Sequence, residues 1–590
     1  MSARSTARSR KWQQGRRSST KDSRLSVIRF GVLLVAILVV IRLFFLQVVE
    51  YDFYSALASG QHEIFKELTP TRGTIFIHDG KDQDLVPLAT NHQLAAVYAD
   101  PRRVEDPEAT ALAVGDVFSF DEEKINKLKE RLSNKEDPYE PIQKEVSDEV
   151  LGRLLSLDLP GIAYTREERR LYPETGLGGQ VTGFVSQNED GTVGGKYGIE
   201  GFFEKTLAGK PGFLRSERDI AGRLITIGES AIEPAVDGSD IVLTIDRAIQ
   251  FKACSALAES VKKHGAEGGS VIVLDPKTGR ILAMCGAPDF EPSKFGEAPS
   301  IRAFNNSAIF NAFEPGSVFK AVTMAASIDV GAITPGTVYE DTGEVSIDEY
   351  TIRNSDKKAH GLQTMTQVLE SSLNTGTIFA MRAMGQEKFR DYVKQFGFGE
   401  ETGIELQTEV AGDISAINKK SEIFSATATF GQGITSTPLQ VAMAFATIAN
   451  GGILKKPIIV DEIRHPDGAV EKKLPSDVRR VIDTKTARYV SAMLVSVIES
   501  GHGRAAGVPG YYIAGKTGTA QVSKEGGGGY DPDKTIGSFA GFGPADDPVF
   551  VMIVRIDKPT DAIWAETTAA PLFGEIADFL LRYLQVPPTR

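Results

Sequence analysis

Phe313-Glu314-Pro315-Gly316-Ser317-Val318-Phe319-Lys320 places a serine and a lysine three residues apart, just after a Pro-Gly turn. The apolar run Val318, Phe319, Ala321, Val322, Met324, Ala325 and Ile328 predicts a buried helix over Ser317–Asp329, with Lys320 almost its only charge. Residues three apart on a helix share a face, their Cβ atoms about 5–6 Å apart, so the lysine can reach the serine hydroxyl. Burial and the positive helix N-terminus both favour the neutral amine over the ammonium, and a neutral amine can take a proton. Ser317 is therefore read as a nucleophile and Lys320 as its base.

The spacing S-x-x-K alone discriminates poorly, since it recurs at Ser18/Lys21, Ser260/Lys263 and Ser355/Lys358. Order along the chain is more informative. Ser317 is followed by Ser372-Leu373-Asn374 and then by Lys516-Thr517-Gly518-Thr519, which sits in a strand-like run from Tyr511 to Val522. Second copies of the later elements are badly placed. Lys277-Thr278-Gly279 follows Asp275-Pro276 between the strand-like runs Ser270–Leu274 and Arg280–Met284 and reads as a hairpin turn, and Ser186-Gln187-Asn188 precedes the nucleophile. The ordered set S-x-x-K, S-x-N and K-T-G resembles that of the penicillin-binding proteins and class A β-lactamases.

The length of 590 residues allows several domains, and 41% hydrophobic with 24% charged residues describes a globular protein. Cys254 and Cys285 lie in apolar surroundings without C-x-x-C spacing and read as buried thiols in preference to a redox or metal site, with a disulfide between them left open. No H-E-x-x-H or comparable cluster occurs among the seven histidines, so no metal centre is expected.

Residues 1–24 carry eight Lys or Arg against Asp22 and read as a basic cytoplasmic tail. Phe30–Val49, within a segment bounded at 25–49, provides 20 mostly apolar residues, about 30 Å of helix, enough for one membrane crossing. Arg42 interrupts it near its outer end, where it can snorkel or meet a partner helix. A cleaved signal peptide with Ala56-Leu57-Ala58 as its site fits less well, because the apolar stretch is too long and acidic and aromatic residues intervene. The expected arrangement is a single-pass protein of the cytoplasmic membrane with its tail inside and everything after about residue 50 outside. The net charge of −12, less the tail's +7, leaves about −19 on the body, which argues against nucleic acid as a partner.

Residues 50–236 lack the serine motifs. Strands are expected at Thr69–Ile77 and Ala95–Tyr98, and helices at Asp121–Arg131 and Ser147–Leu155. Arg72-Gly73, Arg170-Leu171-Tyr172-Pro173 and Gly195-Lys196-Tyr197-Gly198-Ile199-Glu200 resemble, in order, the motifs of the non-catalytic pedestal (dimerisation-type) domain of class B penicillin-binding proteins. His78–Asp84 departs from the Asp-Arg-Asn-Gly turn usual there. Arg72, Gly73, Arg170, Gly198 and Glu200 are assigned a structural role. A polar link at Asp237–Asp240 and the strand Ile241–Asp246 open a second module, 237–590, whose strand hairpin, helical insertion, three late strands and final helix Pro571–Leu584 read as α+β, an antiparallel sheet flanked by helices.

The resemblance implies a division-specific (septal) D,D-transpeptidase working without cofactors. Ser317 would attack the penultimate D-alanine carbonyl of a stem peptide ending in D-Ala-D-Ala, release the last residue, and pass the acyl group to a neighbouring amine. It further implies Lys320 as base, Ser372 as proton relay, Asn374 on the substrate backbone, and Lys516 supporting Ser372 and the substrate carboxylate, which Thr517 and Thr519 contact. The Ser317 and Thr519 N–H groups would form the oxyanion hole, and Gly518 leaves room beside the serine. Acylation by β-lactams, and partnership with a membrane-embedded glycan polymerase and division proteins, follow from the same resemblance. An elongation-type enzyme and a non-enzymatic penicillin-binding sensor or scaffold are the alternatives. Phe430-Gly431-Gln432-Gly433 reads as a turn without catalytic role, and Lys524–Tyr530 as a mobile loop.

Overall fold

The structure is a computed structural model that describes residues 20–45, 63–80, 84–217, 231–524, 529–588 and 590. They divide into two compact units, one within residues 1–69 and 211–235 and one comprising 70–210 and 236–590.

The first unit holds helix α1 (Thr20–Phe44) and a three-stranded antiparallel sheet of Glu63–Leu68, Gly212–Glu217 and Ala231–Glu233. Helix α1 takes in Phe30–Phe44 of the expected membrane span. Residues 46–49 lie outside the described residues, and no helix among the described residues is long and apolar enough to cross a membrane.

The second unit begins with a strand shorter than expected. Only β1 (Ile75–Asp79) is a strand, because the Thr71 N–H donates to the Asp237 carboxylate (2.7 Å) and the Gly73 N–H to the Leu207 carbonyl (2.8 Å) instead of a ladder. Gly73 is required here, since a Cβ would lie 2.0 Å from the Ser239 carbonyl oxygen. β1 pairs antiparallel with β2 (Asp84–Ala99) and parallel with β3 (Asp240–Asp246). Outward from β3 the sheet continues through Val460–Arg464 and Val470–Lys472. At its other end β2 is flanked by Glu140–Val146 and Ile162–Leu171. Helices Pro107–Phe118, Glu122–Leu132 and Asp148–Leu155 close a separate small core over β2, around Val97, Val114, Leu128 and Leu151.

After β3, helix α2 (Arg247–Lys263) starts where the Asp246 carboxylate accepts from the Ile249 N–H (3.0 Å). The hairpin β4 (Gly268–Leu274) and β5 (Ile281–Ala287) turns at Lys277–Gly279, as expected from the sequence. The helical insertion includes α3 (Lys320–Asp329), α4 (Asn374–Met384), α5 (Pro438–Ala449) and α6 (Thr484–Glu499). Then come β6 (Ala514–Ser523), β7 (Tyr530–Gly543), β8 (Phe550–Asp557) and α7 (Ala569–Tyr583). The order β5-β4-β8-β7-β6 is antiparallel throughout.

Both faces of that sheet are covered, and the period-two alternation of strands says by what. Val271, Val273, Met552 and Val554 point into a core shared with α2 and α7, whereas Ile272, Leu274, Val551 and Ile553 point into the core built on α3, α5 and α6. Helix α5 is apolar all round because it is enclosed; a capping box of Thr437 and Gln440 satisfies its first turn. The reading of two separate thiols is corrected: Cys254 on α2 and Cys285 on β5 form a disulfide, Cα–Cα 5.3 Å. The helix lies across the strand closely enough to bring together two residues that no sequence spacing rule connects.

Candidate active site

Ser317 lies in a 3-10 turn, Gly316–Phe319, that feeds directly into α3 at Lys320. The expected helix is therefore present but its first turn is tighter. The turn is clamped from two sides. The Gly316 N–H donates to the Gly431 carbonyl (3.1 Å), and Glu314 accepts from the Gly433 N–H (3.0 Å) and the Tyr530 hydroxyl (3.0 Å). The Phe430–Gly433 turn thus braces the backbone that carries Ser317, a task its sequence did not disclose. Residues 525–528 of the expected mobile loop lie outside the described residues.

Lys320 is fully buried, and its Nζ donates to the Ser372 carbonyl (2.5 Å) and to the Ser372 hydroxyl (3.2 Å). Burial, and secondarily the charge of Lys516, hold its pKa well below that of an ordinary lysine. Ser372 has φ +54°, a conformation that costs a non-glycine residue on the order of 1–3 kcal/mol and persists only when its surroundings enforce it. They do. The Asn354 side-chain oxygen accepts from the Asn374 N–H (2.9 Å), and Asn354 Nδ2 donates to buried Asp341 (2.9 Å), which also accepts from the Thr375 hydroxyl (2.6 Å). This network was not foreseen from the sequence.

Asn374 and Lys516 have partners of their own within the protein. The Asn374 side chain donates to the Arg353 carbonyl (2.9 Å), a bond that ties down the preceding hairpin strand. Lys516, also fully buried, donates to the carbonyl (3.2 Å) and hydroxyl (3.3 Å) of Thr517, and it is Lys320 that holds Ser372. Burial lowers the Lys516 pKa to about 7, with Glu566 the charge that opposes the fall. Gly518 faces the turn that carries Ser317, where a Cβ would lie 2.8 Å from the Pro315 carbonyl oxygen and 2.6 Å from the Ser538 hydroxyl.

Ser317, Ser372, Thr517 and Thr519 open into one cleft of about 320 Å³. Its remaining wall includes residues with no sequence signal: Trp564, Glu566, which pairs with His502 (2.8 Å), and Asp356, which pairs with His360 (2.9 Å). A larger cavity of about 690 Å³, beside α6 and Ala545–Pro548, contains none of the candidate residues. Among the described residues no His, Cys, Asp and Glu group is arranged to hold a metal ion.

The pedestal residues form a different kind of cluster. Fully buried Glu200 accepts from Arg72 Nε (2.8 Å) and Nη2 (2.5 Å) through one oxygen and from Arg170 Nε (2.7 Å) through the other. Gly198 turns the chain into the short helix carrying Glu200, with φ +47°.

Residues 269–578 match the family model "Penicillin binding protein transpeptidase domain", and residues 67–243 match "Penicillin-binding Protein dimerisation domain". Stage V sporulation protein D of Bacillus subtilis is 32% identical over 570 residues, 96% of this chain and 86% of that protein. Peptidoglycan D,D-transpeptidase FtsI of Escherichia coli K12 is 30% identical over 554 residues, covering 93% and 89%. The crystal structure of penicillin-binding protein 3 from Mycobacterium tuberculosis, complexed with aztreonam, aligns with TM-score 0.68 at 29% identity over 89% of this chain and 98% of that one. With its pedestal and transpeptidase segments both matched in order, the chain belongs to the class B penicillin-binding proteins, the peptidoglycan transpeptidases of cell-wall synthesis.

Proposed function

We propose that Ser317 is the acylating nucleophile of a septal D,D-transpeptidase, with Lys320 as its base. The observation that carries this reading is the convergence on one cleft of Ser317, the Lys320–Ser372 pair and the edge of β6. Ser317 Oγ attacks the penultimate D-alanine carbonyl while the neutral Lys320 amine accepts its proton. Ser372 passes a proton to the departing D-alanine amine as the peptide bond breaks and the ester forms. An acceptor amine then attacks the ester, gives up its proton, and releases Ser317 with a new peptide bond. Lys516, Thr517 and Thr519 receive the substrate carboxylate, and the Ser317 and Thr519 N–H groups bind the oxyanion. Asn374 acts by fixing the Ser372 turn against Arg353. β-Lactams acylate the same serine. The test is labelling of the full-length chain with a fluorescent β-lactam. Loss of label in Ser317→Ala with the fold retained supports the assignment, and persistent label refutes it.

The septal role rests on the long basic tail, the modest pedestal and the similarity to FtsI. Depletion giving filaments with unconstricted septa supports it, whereas swollen cells of normal spacing point to an elongation enzyme. A sensor or scaffold would take the label yet fail to turn over stem peptides. For localisation, the apolar stretch Phe30–Val49 behind a basic tail supports one N-terminal anchor, with the body outside the cytoplasmic membrane. The span and pedestal are the contact for a membrane-embedded glycan polymerase; unchanged co-purification after replacing Phe30–Val49 with an unrelated span would reject that contact.

A further inference from the structure

Glu566 and His502 are 64 positions apart, and neither belongs to a motif, yet they meet at 2.8 Å on the wall of the cleft that holds Ser317. Both are fastened to the machinery. The Ala565 N–H, next to Glu566, donates to the Thr519 hydroxyl (3.2 Å), and the Ile563 carbonyl accepts from the Thr535 hydroxyl on β7 (2.8 Å). On the other side, the His502 N–H donates to the Glu370 carbonyl (3.3 Å), two residues before Ser372. The pair therefore bridges the S-x-N side and the K-T-G side of the cleft. Its carboxylate is the acidic charge that bears on Lys516.

We propose that Glu566, oriented by His502, is a positioning residue that keeps the buried Lys516 in its ammonium form, so that β6 can bind the carboxylate of the donor substrate. This rests on the transpeptidase reading of the cleft. Other charges face the same space: Lys320 from α3, which disfavours a second ammonium, and the Asp356–His360 pair from the loop before α4. The His502 hydrogen bond is the main influence holding Glu566 ionised. The protein thus carries, on the same cleft wall as Thr517 and Thr519, a fixed anion whose charge opposes the neutralisation of Lys516 by burial.

The direction of the effect follows from the charge. The Lys516 ammonium population falls as pH rises through its folded value of about 7, and removing the Glu566 charge moves that fall to lower pH. For Glu566→Gln in the full-length chain, β-lactam acylation efficiency should drop about tenfold at pH 8, the effect of one pKa unit. It should stay within about twofold of wild type at pH 6, where a value one unit lower still leaves about half of Lys516 charged. The loss should appear in the ligand's dissociation constant and spare the acylation rate at saturation. Glu566→Asp, which keeps the charge, should recover the alkaline limb, and matched thermal melts would show that both variants fold. A loss equal at both pH values, an unmoved alkaline limb, or a Glu566→Asp profile like that of Glu566→Gln overturns the proposal. Absence of wild-type labelling at Ser317 would instead overturn the transpeptidase reading beneath it.

Discussion

In the pedestal, the fully buried Glu200 sits between two arginines that satisfy both of its oxygens. In the cleft, Lys320 and Lys516 are just as buried, yet among the described residues neither forms an ion pair. A buried charge with matched partners is a structural element whose loss strands the partners. Without a paired carboxylate the ammonium form of a buried amine is disfavoured: at Lys320 that leaves a base, whereas at Lys516 the charge of Glu566 opposes the loss. Burial is the same in both places, so the pairing distinguishes architecture from chemistry.

Substitutions can break this contrast, and the largest effect belongs in the cleft. Lys320→Met should lower the β-lactam acylation rate about 10²–10⁴-fold, the usual worth of a positioned base, while the melting temperature holds or rises. Wild-type acylation in that variant would remove Lys320 from the mechanism. Next comes Glu200→Gln, which should destabilise the fold by about 3–5 kcal/mol in denaturant titration because buried Arg170 loses its anion and Arg72 keeps only Glu204. The folded fraction should still acylate at the wild-type rate; slowed acylation at unchanged stability would erase the distinction drawn above.

Lys516→Met should act with the opposite sign on stability. Its folded pKa of about 7 lies below that of an unfolded lysine, so between those values the unfolded chain binds more protons and stability rises with pH. Below about 7 the folded state carries the full cost, and replacing the lysine there should stabilise by a few kcal/mol, roughly the difference between the two pKa values. Substrate binding should collapse in the same variant. A melting curve for Lys516→Met that is lower than wild type at pH 6 would show the ammonium to be better compensated than its contacts indicate. The smallest effect tests the bracing of the S-x-N turn: Asn354→Ala should weaken Ser372's strained geometry and cost about 1–3 kcal/mol, with a parallel loss of acylation. Stability loss alone would place Asn354 with the architecture.

The motifs were legible in the sequence because each is a local spacing on one element: Ser317 and Lys320 on one turn, Lys516 to Thr519 on one strand. Strands β4, β5 and β8 were legible for a similar reason, being apolar on both faces where helices cover them. The Lys277–Gly279 turn was correctly separated from the active-site K-T-G by its flanking strands. What stayed hidden needed distant segments to meet. Asn354 and Asp341 under the Ser372 turn, His502 on Glu566, and Cys254 on Cys285 have no fixed spacing, so only the tertiary packing joins them. The strand expected at Thr69–Gly73 failed for the same reason, as its N–H groups were taken by Asp237 and Leu207 from far along the chain.

Strand β3 was expected to open the transpeptidase module, yet the dimerisation-domain match runs to residue 243, and β3 has a pedestal strand, β1, on one side and Val460–Arg464 on the other. The two segments therefore share one hydrogen-bonded sheet and are not separate beads on a string. Cutting the gene at residue 237 to obtain a minimal enzyme would leave β3 with a bare, apolar edge, an invitation to intermolecular pairing. The same continuity ties the pedestal to α2, which departs from β3 at Asp246 and packs against β4 and β5 of the five-stranded sheet.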